Sequence, residues 1–274
     1  MTLATQQRPT AGSHFQGFKL LLTHVLRFLP RFLSSWALVL IAIFLAVLSP
    51  LTAKYLPDLI NTFADAATKD LVAATMPEPS WQEAYGQWFN NLTQLFSFTA
   101  IVIVANYLSS AYSLGGQAAF ILSRNIGRSA YFLAHFLRIT VLLVLATALG
   151  SRSTWAVTKL IFPDTPFNGQ LAAGTALWCL SFLVILGFIA LAAAIWKNMM
   201  ASAGVGFLIY VLMALGGLWV SASHYLPTAL ATSGLSIAQG AAAEHILWPC
   251  VSATAITLCC AGAGLYIFGR NERI

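Results

Sequence analysis

The sequence predicts an all-α polytopic membrane protein with six transmembrane helices. Of its 274 residues, 59% are hydrophobic and only 8% are charged, whereas soluble domains carry about 25% charged residues. A helix needs about 20 mostly apolar residues to cross a bilayer. Six runs meet this requirement: 33–53, 94–114, 130–150, 174–196, 200–222 and 247–268. We therefore interpret residues 33–274 as a single transmembrane domain, preceded by a lead of residues 1–32.

The distribution of basic residues predicts that both termini face the cytoplasm. An even number of spans places the two ends on one side, and cytoplasmic loops carry the excess of Lys and Arg. With both ends inside, the inner side holds ten of the fourteen basic residues. These are Arg8, Lys19, Arg27, Arg31, Arg124, Arg128, Arg138, Lys197, Arg270 and Arg273, against Lys54, Lys69, Arg152 and Lys159 outside.

The lead segment predicts a helix that lies in the plane of the lipid headgroups. Between Phe15 and Phe32, polar side chains recur every four residues and apolar side chains cover the remaining surface. Basic amphipathic helices of this kind bind at the membrane interface and contact membrane lipids. The interfacial helix would place Lys19, Arg27 and Arg31 among the headgroups. A simple extension of the first span is the alternative.

The connector between the second and third spans is both basic and half apolar. The stretch Gly115–Arg128 carries Arg124 and Arg128 but no acid, which predicts a cytoplasmic position. It also contains an apolar run at 120–122, which a purely solvated loop would not need. This combination predicts a docking surface for a soluble partner protein.

The two predicted outer segments are 51–93 and 223–246. Prolines punctuate the first, with Pro50 just before it and Pro57, Pro77 and Pro79 within it, and pieces around 56–67 and 80–90 are predicted as short surface helices. The second is interpreted either as a loop or as a shallow re-entrant pair of helices. Neither segment shows a motif that assigns chemistry to it.

No constellation in the sequence predicts catalysis, metal binding or nucleic-acid binding. The four cysteines lie in apolar segments, and no two histidines have the spacing of a helical metal site. The net charge of +6 is spread over short loops, as membrane orientation requires. One ionisable residue, Arg138, enters a predicted span, with His135 one turn before it. We expect Arg138 to extend to the headgroups, with pairing to a neighbouring helix as the alternative.

Several stretches together carry a resemblance to a known family. They are 48–58 after the first span, 77–80 and 84–94 before the second, and 120–128 followed by 131–136 at the third. These stretches resemble the permease subunits of type-2 ABC transporters, the ABC-2 family. In that family a leucine-serine-(lysine or arginine)-proline stretch leads into the third span. Leu122-Ser123-Arg124-Asn125 occupies that place here.

The resemblance implies a transport subunit rather than an enzyme. It implies an ABC exporter whose permease moves a lipid, peptide or drug-like molecule across the plasma (inner) membrane of a bacterium. A second copy or a homologous permease would pair with this chain, and separate ATPase subunits would hold ATP and Mg²⁺. The chain has no Gly-x-x-x-x-Gly-Lys-Ser/Thr loop, so we expect it to bind no nucleotide and no other cofactor itself.

The resemblance also implies that a coupling helix lies in the connector 115–131, where the ATPase docks. The docking residues implied are Phe120, Ile121, Leu122, Arg124 and Arg128. A stand-alone secondary transporter or channel is the alternative function. A membrane-embedded enzyme or scaffold ranks last, because the chain lacks a cluster of acids, histidines or cysteines.

Overall fold

The computed structural model describes residues 23, 33–63, 79–113, 127–219, 225–242 and 246–270. The regular structure in these ranges is helical, without strands. The helices, in chain order, are α1 (Leu33–Phe63), α2 (Trp81–Asn91), a π-helical turn (Leu92–Phe96), α3 (Ser97–Tyr112), α4 (Arg128–Ile161), α5 (Gly169–Trp196), α6 (Met199–Gly216), α7 (Ala229–Ala238) and α8 (Leu247–Arg270). Apart from Thr23, the predicted lead helix, with Lys19, Arg27 and Arg31, lies outside the described residues.

Six helices in these ranges are long and apolar enough to cross a membrane, which confirms the predicted all-α class and number of spans. The first lies within α1, and the second is the continuous helix Trp81–Tyr112 that comprises α2, the π-helical turn and α3. The other four are α4, α5, α6 and α8. The chain is therefore compatible with a multi-pass membrane protein.

Helix α5 is the centre of the bundle. It contacts α3, α4, α6, α7 and α8, and 72% of its most apolar stretch is buried, against 17% for α6 and 28% for α8. Small residues such as Ala190, Ala193 and Ala194 permit this close packing. The outer faces of α6 and α8 remain apolar and exposed, as expected for helices at the rim of a membrane bundle.

The predicted short helix at 80–90 is wrong as a separate element. Ser80 caps α2, since its Oγ accepts a hydrogen bond from the Glu83 backbone N–H at 3.3 Å. From there the helix continues through the π-helical turn into α3 and spans 32 residues, about 48 Å. The polar residues of α2 favour water, but nothing between 81 and 112 terminates a helix. The element therefore extends beyond the hydrocarbon core of about 30 Å.

Helix α1 likewise passes the predicted end of its span. It continues through Pro50 and Pro57 to Phe63, ten residues beyond the predicted boundary. Proline is tolerated in membrane helices because neighbouring groups satisfy the backbone atoms that it frees. The described part of 223–246 holds one short helix, α7, which replaces the two predicted alternatives of a loop or a helix pair.

Helix α7 packs against α5 through a glycine pair. A Cβ added to Gly234 would lie 2.6 Å from the backbone oxygen of Gly174, and a Cβ added to Gly174 would collide with the backbone oxygen of Gly234. Only glycine fits at both positions. We call this end of the bundle the α7 end, and the end at which α3 ends and α4 begins the connector end.

Candidate functional site at the connector end

The two helices that flank the connector are joined by a reciprocal pair of hydrogen bonds. Tyr131 Oη of α4 donates to the backbone oxygen of Ala111 at 3.1 Å. In return, Tyr112 Oη of α3 donates to the backbone oxygen of Phe132 at 3.2 Å. Because both acceptors are backbone atoms, the ends of the two helices cannot separate without breaking these bonds.

Helix α8 joins the same contact through Phe268. The Phe268 ring centroid lies 5.1 Å from that of Tyr112, 6.0 Å from that of Phe132 and 6.3 Å from that of Tyr131. Tyr112 and Phe132 stack with centroids 5.0 Å apart, and both side chains are fully buried. We call Tyr112, Tyr131, Phe132 and Phe268 the aromatic clamp.

Deeper in the bundle, Arg138 of α4 is buried against α3. Its side chain is 3% exposed, and its guanidinium carbon lies 5.1 Å from the centroid of the Tyr107 ring. Tyr107 Oη also shares a hydrogen bond of 2.6 Å with His135 Nδ1. The expected extension of Arg138 to the headgroups is therefore wrong, and the pairing alternative holds. The tyrosine ring offers the cation an attractive face inside the protein.

The predicted docking residues are only partly within the described structure. Arg128 is the first residue of α4 and is half-buried. The other four, Phe120, Ile121, Leu122 and Arg124, lie outside the described residues, so their role stays a prediction. The structure describes both helices that lead into and out of them.

The sequence did not lead us to predict the aromatic clamp, although it contains a pattern that indicates it. Aromatic residues cluster where the spans reach the connector end, at Tyr112, at Tyr131 with Phe132, and at Phe268. Composition reveals this enrichment. It does not reveal which hydroxyl meets which carbonyl, because that depends on how three helices pack.

The other metal-ligating, thiol and ionisable side chains of the described residues do not form a further candidate site. Among the described residues, no group of three or more His, Cys, Asp or Glu side chains could hold a metal ion. Cys179, Cys250, Cys259 and Cys260 are free thiols. The ionisable side chains that the structure brings together inside the bundle are those around Arg138.

Comparison of the chain with protein-family models, with curated proteins and with solved structures gave no match.

Proposed function

We propose that this chain is the permease subunit of an ABC exporter, and that a separate ATPase docks on its 115–131 connector. The observation that carries the proposal is the reciprocal bonding of Tyr112 and Tyr131, which ties the two ends of that connector together. A force applied to the connector would then reach α3, α4 and α8 together.

This arrangement suits a transporter driven from outside the membrane. A conformational change requires contacts that differ in free energy between the two states. Closure of an ATPase pair supplies such a difference only if its movement is transmitted rather than absorbed by a loose loop. The aromatic clamp provides a stiff link, and the basic, half-apolar connector provides the docking surface.

The rest of the proposal follows from the resemblance. Two permeases, either two copies of this chain or this chain and a homologue, pair with two ATPase subunits in a bacterial plasma membrane. ATP and Mg²⁺ bind the ATPase. The cargo is apolar or amphipathic, since the spans hold little charge. Both termini and the connector face the cytoplasm.

Docking is tested by co-purification of the chain with a candidate ATPase in lipid nanodiscs. We expect the double variant Arg124→Glu, Arg128→Glu to weaken association by about ten-fold or more, because charge reversal replaces attraction by repulsion. The matched control is Arg152→Glu, Lys159→Glu, which reverses two exposed charges toward the α7 end of α4. This control should leave association unchanged.

Two further measurements keep the docking result interpretable. Cysteine labelling from either side of the membrane checks that the variants retain their orientation, because loss of inner arginines also bears on topology. ATPase stimulation by the permease should fall together with association. Unaltered association and stimulation in a correctly oriented Arg124/Arg128 variant would refute the docking role.

One observation favours the alternative of a stand-alone transporter. Ionisable residues inside a membrane domain mark ion pathways by default, and Arg138 with His135 is such a pair. Purified chain in liposomes, without ATP or a partner, decides between the two. Transport that follows an imposed ion gradient and stops in Arg138→Met would establish the alternative and remove the ABC proposal.

A further inference from the structure

A groove of about 280 Å³ runs along the outer surface of the bundle between α4 and α5. Its rim consists of exposed residues, Val144 and Ala148 on α4 and Ala172 and Ala176 on α5. On α5 the lining extends from Ala172 to Leu183, which is about 17 Å along the helix axis. Half of the hydrocarbon core of a bilayer measures about 15 Å. The groove is therefore about as long as one leaflet is thick.

The polar side chains on the floor of the groove are bonded within the protein. Thr147 Oγ1 and Ser151 Oγ each donate to a backbone oxygen about one turn earlier on α4, at 3.0 Å. Thr175 Oγ1 of α5 accepts from Trp88 Nε1 at 3.3 Å. These groups need no polar ligand, and the other lining side chains are apolar apart from one buried thiol. The groove can therefore be filled by hydrocarbon.

The surface around the groove is suited to contact with lipid chains. Leu145 and Leu149, on the adjoining face of α4, are each 47% exposed. A groove left empty beside such a surface would forfeit dispersion contacts along its walls. Its volume of about 280 Å³ is nearly twice the roughly 150 Å³ that accommodates benzene in an apolar interior, so about ten carbon atoms fit. The remainder of a longer chain stays in the bilayer, because the groove is open to it.

The mouth of the groove toward the α7 end is basic. The row formed by Val144 and Ala148 continues on the same helix face to Arg152, and Trp155 and Lys159 follow three and seven residues later. Arg152 and Lys159 are exposed, and Lys159 Nζ lies 5.3 Å from the centroid of the Trp155 ring. Tryptophan is enriched where a membrane meets water. The groove thus opens at the level where headgroup phosphates lie.

The same charges disfavour a second copy of the chain as the occupant of the groove. A two-fold symmetric contact presents the same patch on both copies. Such a contact through the groove would bring Arg152 and Lys159 of one copy close to those of the other. Like charges that face each other across an interface are costly, whereas a phosphate group would neutralise them.

We propose that this groove binds one acyl chain of an anionic phospholipid, with the headgroup phosphate against Arg152. Lys159 lies farther out and adds a second positive charge. The lipid belongs to the leaflet at the α7 end. The proposal rests on the membrane placement of the bundle and does not depend on the permease function, because ATPase docking concerns the opposite end of α4.

Lipid retention by the full-length chain in detergent micelles tests the proposal, with native mass spectrometry as the measurement. The probes are dioleoyl phosphatidylglycerol, which is anionic, and dioleoyl phosphatidylcholine, which is not. At saturation we expect the unaltered chain to retain one more phosphatidylglycerol than a variant whose groove is filled. Phosphatidylcholine should bind there about five-fold more weakly, the effect of one basic residue at a membrane surface. No ATPase is present, so failure here and failure of docking are distinguishable.

Two matched pairs of variants locate the site. Ala176→Phe fills the groove and should remove one retained lipid, whereas Ala173→Phe, at an exposed position of α5 outside the lining, should not. Arg152→Gln should lower the affinity of the site for phosphatidylglycerol about five-fold and leave that for phosphatidylcholine unchanged. Arg270→Gln, at an exposed position at the connector end, should change neither.

Three results would overturn the proposal. Equal lipid retention by Ala176→Phe and Ala173→Phe would refute the location. Loss of a dimer mass in Ala176→Phe, without loss of lipid, would assign the groove to a second copy instead. An unchanged preference for phosphatidylglycerol in Arg152→Gln would refute the phosphate contact. If Ala176→Phe does not fold, Ala148→Phe fills the groove from α4, with Leu149→Phe as its control.

Discussion

The two ends of the bundle combine hydrogen bonds differently: the connector end has a reciprocal pair to backbone carbonyls, whereas the α7 end mixes bonds to side-chain hydroxyls with bonds to backbone carbonyls, such as that from Tyr210 Oη to Thr93 at 2.9 Å. At the connector end, Tyr112 and Tyr131 donate to backbone carbonyls of the facing helix. Toward the α7 end, Trp88 and Trp178 donate to the side-chain hydroxyls of Thr175 and Thr93, at 3.3 and 3.2 Å. A bond to a backbone carbonyl fixes the helix itself. A bond to a threonine hydroxyl can follow a change of rotamer.

This difference suggests distinct mechanical roles. The connector end should move as one unit, because its bonds leave the helices little relative freedom. The α7 end should have more freedom where side chains bond to side chains, and less where backbone meets backbone at Gly174 and Gly234 or where Tyr210 bonds to the Thr93 backbone oxygen. Three substitutions test this contrast, in decreasing order of expected effect.

The largest effect should come from Gly174→Leu. Its side chain would collide with the Gly234 backbone oxygen, an atom that cannot move by a rotamer change. We expect a loss of about 3 kcal/mol or more, the upper range for overpacking, and detachment of α7 measured by limited proteolysis and thermal unfolding. Gly204→Leu is the control, since a Cβ there meets nothing within 4 Å. Similar melting of the two variants would contradict the backbone contact.

The second-largest effect should come from the double variant Tyr112→Phe, Tyr131→Phe, which removes both hydroxyl groups of the aromatic clamp. The rings remain, but the backbone carbonyls of Ala111 and Phe132 each lose a hydrogen bond, at about 1 kcal/mol for each bond. We expect spin labels at Ser113→Cys and Gly127→Cys, in a background without native cysteines, to show a broader distance distribution. ATPase association should persist while its stimulation falls. Tyr225→Phe, at an exposed tyrosine distant from the connector, is the control. An unchanged distribution would show that ring packing alone joins the helices.

The smallest effect should come from Thr175→Val toward the α7 end. It removes the acceptor of the Trp88 indole N–H, but that bond is long and lies between two side chains. Because one buried N–H loses its acceptor, whereas the clamp variant loses two bonds, we expect a loss of about 1 kcal/mol in thermal unfolding, below that of the clamp variant. Thr254→Val, at an exposed position of α8, controls for the substitution itself. A loss equal to that of the clamp variant would remove the contrast between the two ends.

Hydropathy predicted the number of helices long and apolar enough to cross a membrane, but not where these helices end. The requirement for about 20 apolar residues locates the segment inside hydrocarbon. It carries no information on α1 beyond Pro57 or on the polar α2, because a helix continues in water until a residue stops it. The polar residues Glu83 and Asn90 were therefore interpreted as belonging to a separate surface element.

The side-chain contacts were less predictable for a different reason. Arg138 was recognised as an unusual residue, but its environment depends on Tyr107 from another helix. A cavity of about 110 Å³ toward the α7 end was even less predictable, since its lining combines the π-helical turn with side chains from α5, α6 and α7. No local pattern in the sequence encodes a π-helical turn at Leu92–Phe96. The predicted docking residues 120–124 lie outside the described residues and remain a prediction.

Because α4 is long, a small tilt of this helix would produce a large displacement at one of its ends. Its 34 residues form a rod about 51 Å long, held near one tip by the aromatic clamp. If that tip acts as a pivot, a tilt of about 6° displaces the far tip by about 5 Å. Under the proposed function this helix would act as a lever, because a modest rotation applied at the connector would displace the opposite end of the helix sideways by about the length of one helical turn.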